Sequence, residues 1–322
     1  MSPETQRRLA QIALVWGGKL GPMAYRRVVG HFGSPQGALG ATWEELAVPS
    51  LRLDPEQIQA IMTRAREVDH VSRVLERLRE QNLAVVCDWE ADYPAILHEM
   101  SDAPPVLCRA GRLLPRDEPA VAIVGTRSPT PEGLALAEAL GRACARAGVT
   151  VVSGLALGCD TAAHLGALRG GGRTVAVLGS GIVAISPRQN LELSREIAEH
   201  GAIFSEAAPG ASPSAGRLLA RNRLQVGLAR AVIVVQSAET GGAMTTAERG
   251  RKARRLVCAV AWPEGTGKSE GNRLLLQTGA RALRGAEEIP NLLEEVYVHE
   301  SREREERAAA AEQQQLFGTG GE

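Results

Sequence analysis

From residue 119 onward the chain alternates between short apolar runs and helix-like segments, and this alternation constrains the fold more than any other feature. The apolar runs are 121–124, 149–152, 174–178, 202–204, 231–235 and 256–260. Amphipathic patterns lie between them, over 131–147, 160–169, 188–200, 216–229 and 243–253. Continuous apolar strands separated by helices are typical of a parallel sheet covered on both faces. We therefore predict an α/β fold with a doubly wound, Rossmann-like parallel sheet, which binds ligands at the carboxyl ends of its strands.

The segments on either side of this pattern have a different character. Residues 1–82 are helical in pattern, with glycine and proline breaks near 17–22 and 33–35, and they predict an N-terminal helical domain of the SAM or helix-hairpin-helix type. A long helix is expected over 54–81. The Rossmann-like domain then covers 83–290. Residues 291–322 are charged and are expected to form a frayed helix and a disordered tail, too short for a winged helix.

Charge is segregated along a chain whose 37 Lys and Arg balance its 37 Asp and Glu. Residues 1–118 hold 14 basic and 16 acidic side chains, residues 119–284 hold 20 and 11, and residues 285–322 hold 3 and 10, which gives −2, +9 and −7. The basic excess is almost all Arg, whose planar guanidinium suits phosphate oxygens. Solvated surface charge and nucleic-acid binding both explain such an excess.

Several classes of protein are disfavoured. The chain contains no run of 18 apolar residues, the length that a membrane-spanning helix needs. Its first residues also lack a signal-peptide pattern. The five cysteines have no CxxC spacing, which predicts buried thiols and argues against a disulfide framework or a metal site. We expect a cytoplasmic protein without metal, cofactor or membrane contact.

The turn after the second run is the strongest candidate ligand site. It contains Ser153, Gly154 and Gly158, and a helix follows at once. Such a turn leaves backbone N–H groups free for an anion. Asp160 and His164 share one face of that helix, and we interpret them as structural supports in preference to an acid–base pair.

Other strand ends carry similar residues. Candidate phosphate contacts are Gly125, Thr126, Arg127, Gly241, Gly242 and Thr245. Parallel-sheet geometry brings strand ends to one edge, so we predict one anion-binding edge. The first strand lacks GxGxxG, which disfavours NAD, and Trp262 replaces the first glycine of a P-loop ending in Lys268.

A basic run after the fourth strand adds Arg217, Arg221, Asn222 and Arg223 to the predicted phosphate contacts. Two guanidinium groups close together could follow a phosphodiester backbone. Alternatively, one of them forms a buried ion pair, for example with Glu206. We expect one arginine of this run to be structural and the other to face the ligand.

These motifs occur in the order found in the DNA-processing protein A (DprA, or Smf) family, which the chain resembles. The shared motifs are Asp92-Tyr93-Pro94, Pro104 through Gly111, Val121 through Arg127, Ser153 through His164, Ser205-Glu206, Arg221-Asn222-Arg223 and Gly271 through Ala280. The resemblance implies a homodimeric protein that binds single-stranded DNA, protects incoming DNA and helps load RecA recombinase in natural transformation, with no catalytic reaction. It also implies phosphate contacts at Gly125, Thr126, Arg127, Ser153, Gly154, Arg221 and Arg223.

The chain departs from the family pattern where Leu218-Leu219 replaces a usual Phe-Pro, which removes an aromatic ring that could stack on a base. Near the C-terminus, Gln313, Leu316 and Phe317 resemble a sliding-clamp-binding peptide. Two alternatives remain open. One is a phosphoribohydrolase-like enzyme that uses Glu248 as an acid, and the other is a nucleotide-ligand sensor of related fold.

Overall fold

Within residues 1–317, which the computed structural model describes, nine strands form one sheet in the order β1-β2-β6-β5-β4-β3-β7-β8-β9. The side chains of Arg64, Arg304 and residues 307–317 are outside the described part. The strands are β1 Leu83–Cys87, β2 Val106–Gly111, β3 Ala120–Val124, β4 Thr150–Ser153, β5 Thr174–Val177, β6 Ala202–Ser205, β7 Ala231–Val234, β8 Leu256–Val260 and β9 Arg281–Leu283.

Thirteen α-helices are present in the same described residues. They are α1 Pro3–Trp16, α2 Pro22–Phe32, α3 Pro35–Gly40, α4 Trp43–Leu46, α5 Pro55–Met62, α6 Val68–Glu80, α7 Pro131–Arg146, α8 Cys159–Arg169, α9 Leu191–His200, α10 Ala215–Gly227, α11 Gly242–Lys252, α12 Glu270–Gln277 and α13 Ile289–Phe317. The alternation predicted from residue 119 onward is present, and the predicted α/β fold with a mostly parallel sheet is confirmed.

The chain divides into two units. Unit one comprises Met1–Leu113 and Ala176–Leu224, and unit two comprises Leu114–Val175 and Gln225–Glu322. In unit two, β3 pairs in parallel with β4 and β7, β7 with β8, and β8 with β9. In unit one, β1 pairs with β2 and β2 with β6, both antiparallel. The alternation of runs did not predict these antiparallel pairs.

The core of unit two explains why its strands read as unbroken apolar runs. All five residues of β3 and all four of β7 are buried, because helices cover both faces of the sheet. Val121, Ile123 and Ile233 pack with Leu140 and Ala163, which belong to α7 and α8. This packing holds the carboxyl ends of the strands, on which the candidate site is built.

The N-terminal helices form a second core in unit one, around Leu14, Val28 and Ile61. The single long helix predicted over 54–81 is wrong, because α5 ends at Met62 and α6 begins only at Val68. A 3₁₀ turn over Arg64–Arg66 separates them and buries Ala65 completely. A Cβ on Gly17 would lie 2.9 Å from the Ala65 Cα. This close approach favours the break, and local helix propensity cannot reveal it.

The charged C-terminal segment, for which the sequence predicts a frayed helix and a disordered tail, contains the helix α13 up to Phe317. Ile289, Leu292 and Val296 of this helix are buried in the core of unit two. The rest is rich in Ala, Glu, Arg and Gln, which are good helix formers. Gln313, Leu316 and Phe317 belong to α13, but their side chains are outside the described part, as are residues 318–322. Among the described helices, none has the length and apolar character that crossing a bilayer requires.

Candidate nucleic-acid interface

The loops that follow β3, β4 and β7 meet at the carboxyl edge of the sheet in unit two. We call this region the carboxyl edge, and it comprises residues 125–128, 153–158, 236–242 and Lys268. The Thr126 N–H donates to the Gln236 carbonyl oxygen at 2.7 Å, and the Cys159 N–H donates to the Thr126 carbonyl oxygen at 3.2 Å. Backbone hydrogen bonds therefore join the three loops, as expected of neighbouring strand ends.

Two predicted phosphate contacts, Gly125 and Gly158, bring the loops together. Gly158 has a φ of +80°, and a Cβ there would lie 2.5 Å from the Thr126 carbonyl oxygen. A Cβ on Gly125 would lie 2.5 Å from the Cys159 Sγ. Both positions therefore require glycine for close packing, whatever the ligand. Burial raises the pKa of the Cys159 thiol to about 12, so this thiol is not a nucleophile at neutral pH.

The turn after β4 already holds a carboxylate of the chain itself. Asp160 accepts hydrogen bonds from the N–H groups of Gly154 at 3.1 Å and Ala156 at 3.4 Å. These are two of the donors that the sequence offered to phosphate. The Ser153 hydroxyl is fully buried and donates to the Ile123 carbonyl oxygen at 2.6 Å. The structure thus gives Ser153, Gly154 and Asp160 internal hydrogen bonds.

His164 is also internal. Its Nδ1 lies 2.6 Å from the Thr174 hydroxyl, and the side chain is fully buried. The Thr174 hydroxyl in turn donates to the Val151 carbonyl oxygen at 2.8 Å. This chain of contacts joins α8 to β4 and β5.

The carboxyl edge presents two exposed cations. Arg127 is exposed, and no acceptor or carboxylate contacts its side chain in the part of the chain whose side chains the structure describes. Lys268 is also exposed, and its ammonium group donates to the Ser128 carbonyl oxygen, one residue beyond Arg127. Lys268 is a residue that sequence reasoning missed, because it was considered only as part of a P-loop. Its place in the loop that joins β8 to α12 is the signal that could have identified it.

Two buried amides keep these loops in place. Gln236 accepts a hydrogen bond from the Thr130 N–H at 2.9 Å and donates to the Gly267 carbonyl oxygen at 2.9 Å. Asn272 accepts from the Ser237 N–H at 2.9 Å and donates to the carbonyl oxygens of the adjoining strand ends. Neither was predicted as a site residue. Their role is to position the backbone that carries Arg127 and Lys268.

The N-terminus of α11 forms the far part of the edge. Gly241 and Gly242 are exposed, and Gly241 has a φ of +126°. The Thr245 hydroxyl donates to the Gly241 carbonyl oxygen at 3.1 Å. One turn further, Glu248 pairs with Lys252 at 2.7 Å, and this hydrogen bond lowers the pKa of Glu248. A carboxyl group held in its ionised form is poorly suited to act as a general acid.

The remaining predicted contacts lie in unit one. Arg217 is exposed and donates to the Ser212 carbonyl oxygen at 2.9 Å. Asn222 is buried, and Arg221 is buried and donates to the Val177 carbonyl oxygen. Arg223 is also buried, between Glu206 and Asp102, with 3.3 Å to Asp102. The ion pair suggested for Glu206 is therefore present with Arg223. The expected division into one structural and one ligand-facing arginine does not describe this geometry, because both Arg221 and Arg223 have internal partners.

Leu218 and Leu219, which replace the usual Phe-Pro of the family, have different surroundings. A Cβ on Gly179 would lie 2.7 Å from the Leu218 Cδ2, so Leu218 packs against the end of β5. Leu219 is 46% exposed. Neither provides a ring for stacking on a base.

Metal chemistry has no support in the described part of the chain, where no group of three His, Cys, Asp or Glu side chains could hold an ion. All five cysteines are free and buried, as their spacing predicted. The fold and the site together define a Rossmann-like α/β protein whose carboxyl edge presents exposed cations on hydrogen-bonded loops.

Comparison with known proteins makes the assignment specific. Residues 84–294 match the family model described as DNA recombination-mediator protein A. The chain belongs to this family. It is 34% identical over 269 residues to protein Smf of Synechocystis, covering 82% of this chain and 67% of the relative. It is 36% identical over 219 residues to DNA processing protein DprA of Bacillus subtilis, covering 67% and 73%.

Solved structures agree. DprA of Streptococcus pneumoniae superposes with a TM-score of 0.74 at 28% identity, covering 87% of this chain and 95% of that one. DNA processing protein A of Helicobacter pylori superposes with a TM-score of 0.60 at 30% identity, covering 66% and 96%. That protein is described as having a unique single-stranded DNA binding mode.

Proposed function

We propose that this protein binds single-stranded DNA at the carboxyl edge, protects incoming DNA and helps load RecA recombinase during natural transformation. It acts in the cytoplasm, as a homodimer and without catalysing a reaction. Membership of the recombination-mediator family supports this proposal, as does the single-stranded DNA binding described for the Helicobacter pylori relative.

The observation that carries the proposal is the exposed Arg127 beside Lys268. A cation without an internal partner is available for phosphate, whereas a paired arginine must first lose its carboxylate. The loop under Arg127 is hydrogen-bonded to β7 and α8, so the guanidinium is presented from a fixed backbone. Contacts to phosphate position a strand without reading its sequence.

The other predicted contacts have different roles in this proposal. Gly125, Gly158 and Asp160 shape the edge, and the exposed position of Gly241 and Gly242 lets phosphate approach their backbone. Arg217 is the exposed candidate in unit one. Arg221 and Arg223 act by supporting the chain around them.

The test is a fluorescence-anisotropy titration of a labelled single strand and of the matching duplex across a range of salt concentrations. We expect the single strand to bind more tightly. Combining Arg127→Ala with Lys268→Ala should weaken its binding about a hundredfold, since each charged hydrogen bond contributes about 1.5 kcal/mol. The matched control is Arg284→Ala, an arginine with 78% exposure and only a 3.9 Å contact to Glu288.

Absence of single-strand binding at low salt would contradict the proposal. RecA loading is tested separately, by measuring RecA filament formation on protein-coated single strands with and without this chain. The double variant should lose that stimulation in proportion to its loss of DNA binding. Deletion of residues 313–317 tests the proposed sliding-clamp contact, which should disappear without any change in DNA affinity.

A further inference from the structure

A groove of about 420 Å³ lies between α11 and α12, beside the carboxyl edge in unit two. Along α11 it is lined by Met244, Thr245 and Glu248, which are three or four residues apart and so share one face of the helix. Leu274 and Leu275 of α12 form the opposite wall. This volume exceeds that of a single nucleobase, so a base can enter.

The floor of the groove is apolar. Leu274 is 42% exposed although it lies in the second turn of α12, and a Cβ on Gly271 would lie 2.8 Å from the Met244 sulfur, so this thioether packs against the start of α12. Thioether sulfur makes favourable contacts with aromatic rings. Arg251 is already engaged, because it donates to the Leu275 carbonyl oxygen at 3.1 Å and to the Thr278 hydroxyl at 2.9 Å. The floor therefore suits a flat ring and offers no free guanidinium for phosphate.

The groove carries two carboxylates, beside the engaged Arg251 and three threonines, in contrast to the cations of the neighbouring edge. Glu239 and Glu248 line the groove, whereas Arg127 and Lys268 lie on the adjoining loops. The hydrogen bond from the Thr126 N–H to the Gln236 carbonyl oxygen places Glu239 only a few residues from the Arg127 loop. Carboxylates repel phosphate and accept hydrogen bonds from amino groups. A strand at this place is thus oriented with its backbone toward Arg127 and a base toward the groove.

We propose that the groove between α11 and α12 takes one base of the bound strand and prefers bases with an exocyclic amino group to thymine. This inference rests on the proposed single-stranded DNA binding. It assigns Glu239 as the acceptor, because Glu248 is already paired with Lys252, and it assigns Met244 and Leu274 as the apolar contacts of the ring. It also provides a base contact that does not depend on the aromatic ring missing before Arg221.

The experiment compares oligodeoxycytidine and oligodeoxythymidine of equal length, since both are unstructured pyrimidine strands and only cytosine carries the amino group. We expect the wild-type chain to bind the cytidine strand about fivefold more tightly, which is the lower range for a carboxylate–cytosine contact. Glu239→Gln should bring that ratio close to one, because an amide both donates and accepts and no longer discriminates. Glu264→Gln, an exposed carboxylate outside the groove, should keep the wild-type ratio.

Each outcome separates this inference from the function on which it rests. Equal wild-type affinities for the two strands, or a preference that Glu239→Gln leaves unchanged, would overturn base recognition in the groove while single-strand binding stands. Failure to bind either strand would overturn both. Leu274→Ala should weaken both strands by a similar factor, since it removes an apolar contact without altering the acceptor.

Discussion

The two edges of the sheet in unit two differ in whether their arginines are paired with carboxylates. The amino edge carries arginines next to the strand starts, and each is paired. Arg173 pairs with Asp117, and Arg230 pairs with Glu118 and with Glu300 at 2.6 Å. Arg281 pairs with Glu288 at 2.7 Å and Glu295 at 2.9 Å. At the carboxyl edge, Arg127 has no such partner among the described residues.

This difference shows that the net charge of a sequence segment overstates the charge that is available to a ligand. Residues 119–284 have a net charge of +9, but part of it is cancelled by carboxylates that α13 brings back to the sheet. Glu300 contacts Arg230, and Glu303 and Glu306 lie 3.4 and 3.3 Å from Arg254. The acidic C-terminal segment and the basic middle segment are thus largely one electrostatic unit. At the carboxyl edge, the charge of Arg127 is not neutralised by a carboxylate of the described residues.

The largest expected effect concerns the amino edge. Arg230→Ala should lower the free energy of unfolding by about 3 kcal/mol, because it removes a buried guanidinium that pairs with Glu118 and with the partly buried Glu300. Affinity for single-stranded DNA should be retained at a temperature where the variant is folded. Urea unfolding measures the first quantity, with Arg254→Ala, 60% exposed, as a control that should cost less than about 1 kcal/mol. A stable Arg230→Ala variant that has lost DNA affinity would reverse the comparison.

At the carboxyl edge the expected change is in affinity. Arg127→Ala should weaken binding of single strands about tenfold, whatever their sequence, since phosphate contacts carry no sequence information. The free energy of unfolding should stay within about 0.5 kcal/mol of the wild-type value, because an exposed side chain without partners is removed. Titrations with two unrelated sequences and a denaturant curve test both statements. A loss confined to one sequence would mean that Arg127 contacts a base.

Salt dependence sharpens the comparison further. For single strands, log K falls by about 0.7 per tenfold rise in salt for each phosphate neutralised. Arg127→Ala should reduce the slope by about that amount, and Arg230→Ala should leave it unchanged. Anisotropy titrations at several salt concentrations give the slopes. Equal slopes for all three proteins would show that neither edge neutralises phosphate through these arginines.

The smallest effect is the acid dependence of the amino edge. The hydrogen bond from Arg281 lowers the pKa of Glu288, so folding favours its ionised form. That stabilisation is present above the ordinary carboxyl pKa and is lost as pH falls through the lowered value in the folded protein. Urea midpoints measured from neutral to acid pH should therefore fall less steeply in Arg281→Gln than in the wild type. An identical pH profile would show that the pair does not contribute to stability.

The sequence pattern predicted the strands β3 to β8 to within one residue at each end, but it did not predict α12 or β9. The strands were predictable because a buried parallel strand must be apolar throughout, so β3, β7 and β8 are visible as runs. The antiparallel strand β2 was treated as part of a family motif and was not predicted as a strand. Its residues Val106–Gly111 include the charged Arg109 and lie beside glycine and proline. The break between α5 and α6 depends on Ala65 packing against Gly17, a contact distant in sequence.

The candidate site was predictable in position but only partly in role. The convergence of the loops after β3, β4 and β7 follows from parallel topology, and Arg127 was identified on that ground. The burial of Arg221 and Arg223 could not be read from composition, because guanidinium groups serve ion pairs and phosphates equally well. Gln236 and Asn272 were missed for a similar reason, since single amides have no sequence signature before their backbone partners are known.

The carboxylate of Asp160 has a consequence for the thermodynamics of any ligand at this edge. Because it accepts from Gly154 and Ala156, the turn after β4 acquires its shape during folding, before an external anion arrives. The conformational entropy lost in ordering those residues is then part of the free energy of folding. It does not reduce the free energy of binding. A chain with Asn at position 160 would retain the hydrogen-bond geometry but add positive potential to the turn. That single atom change would separate the contribution of preorganisation from the contribution of charge.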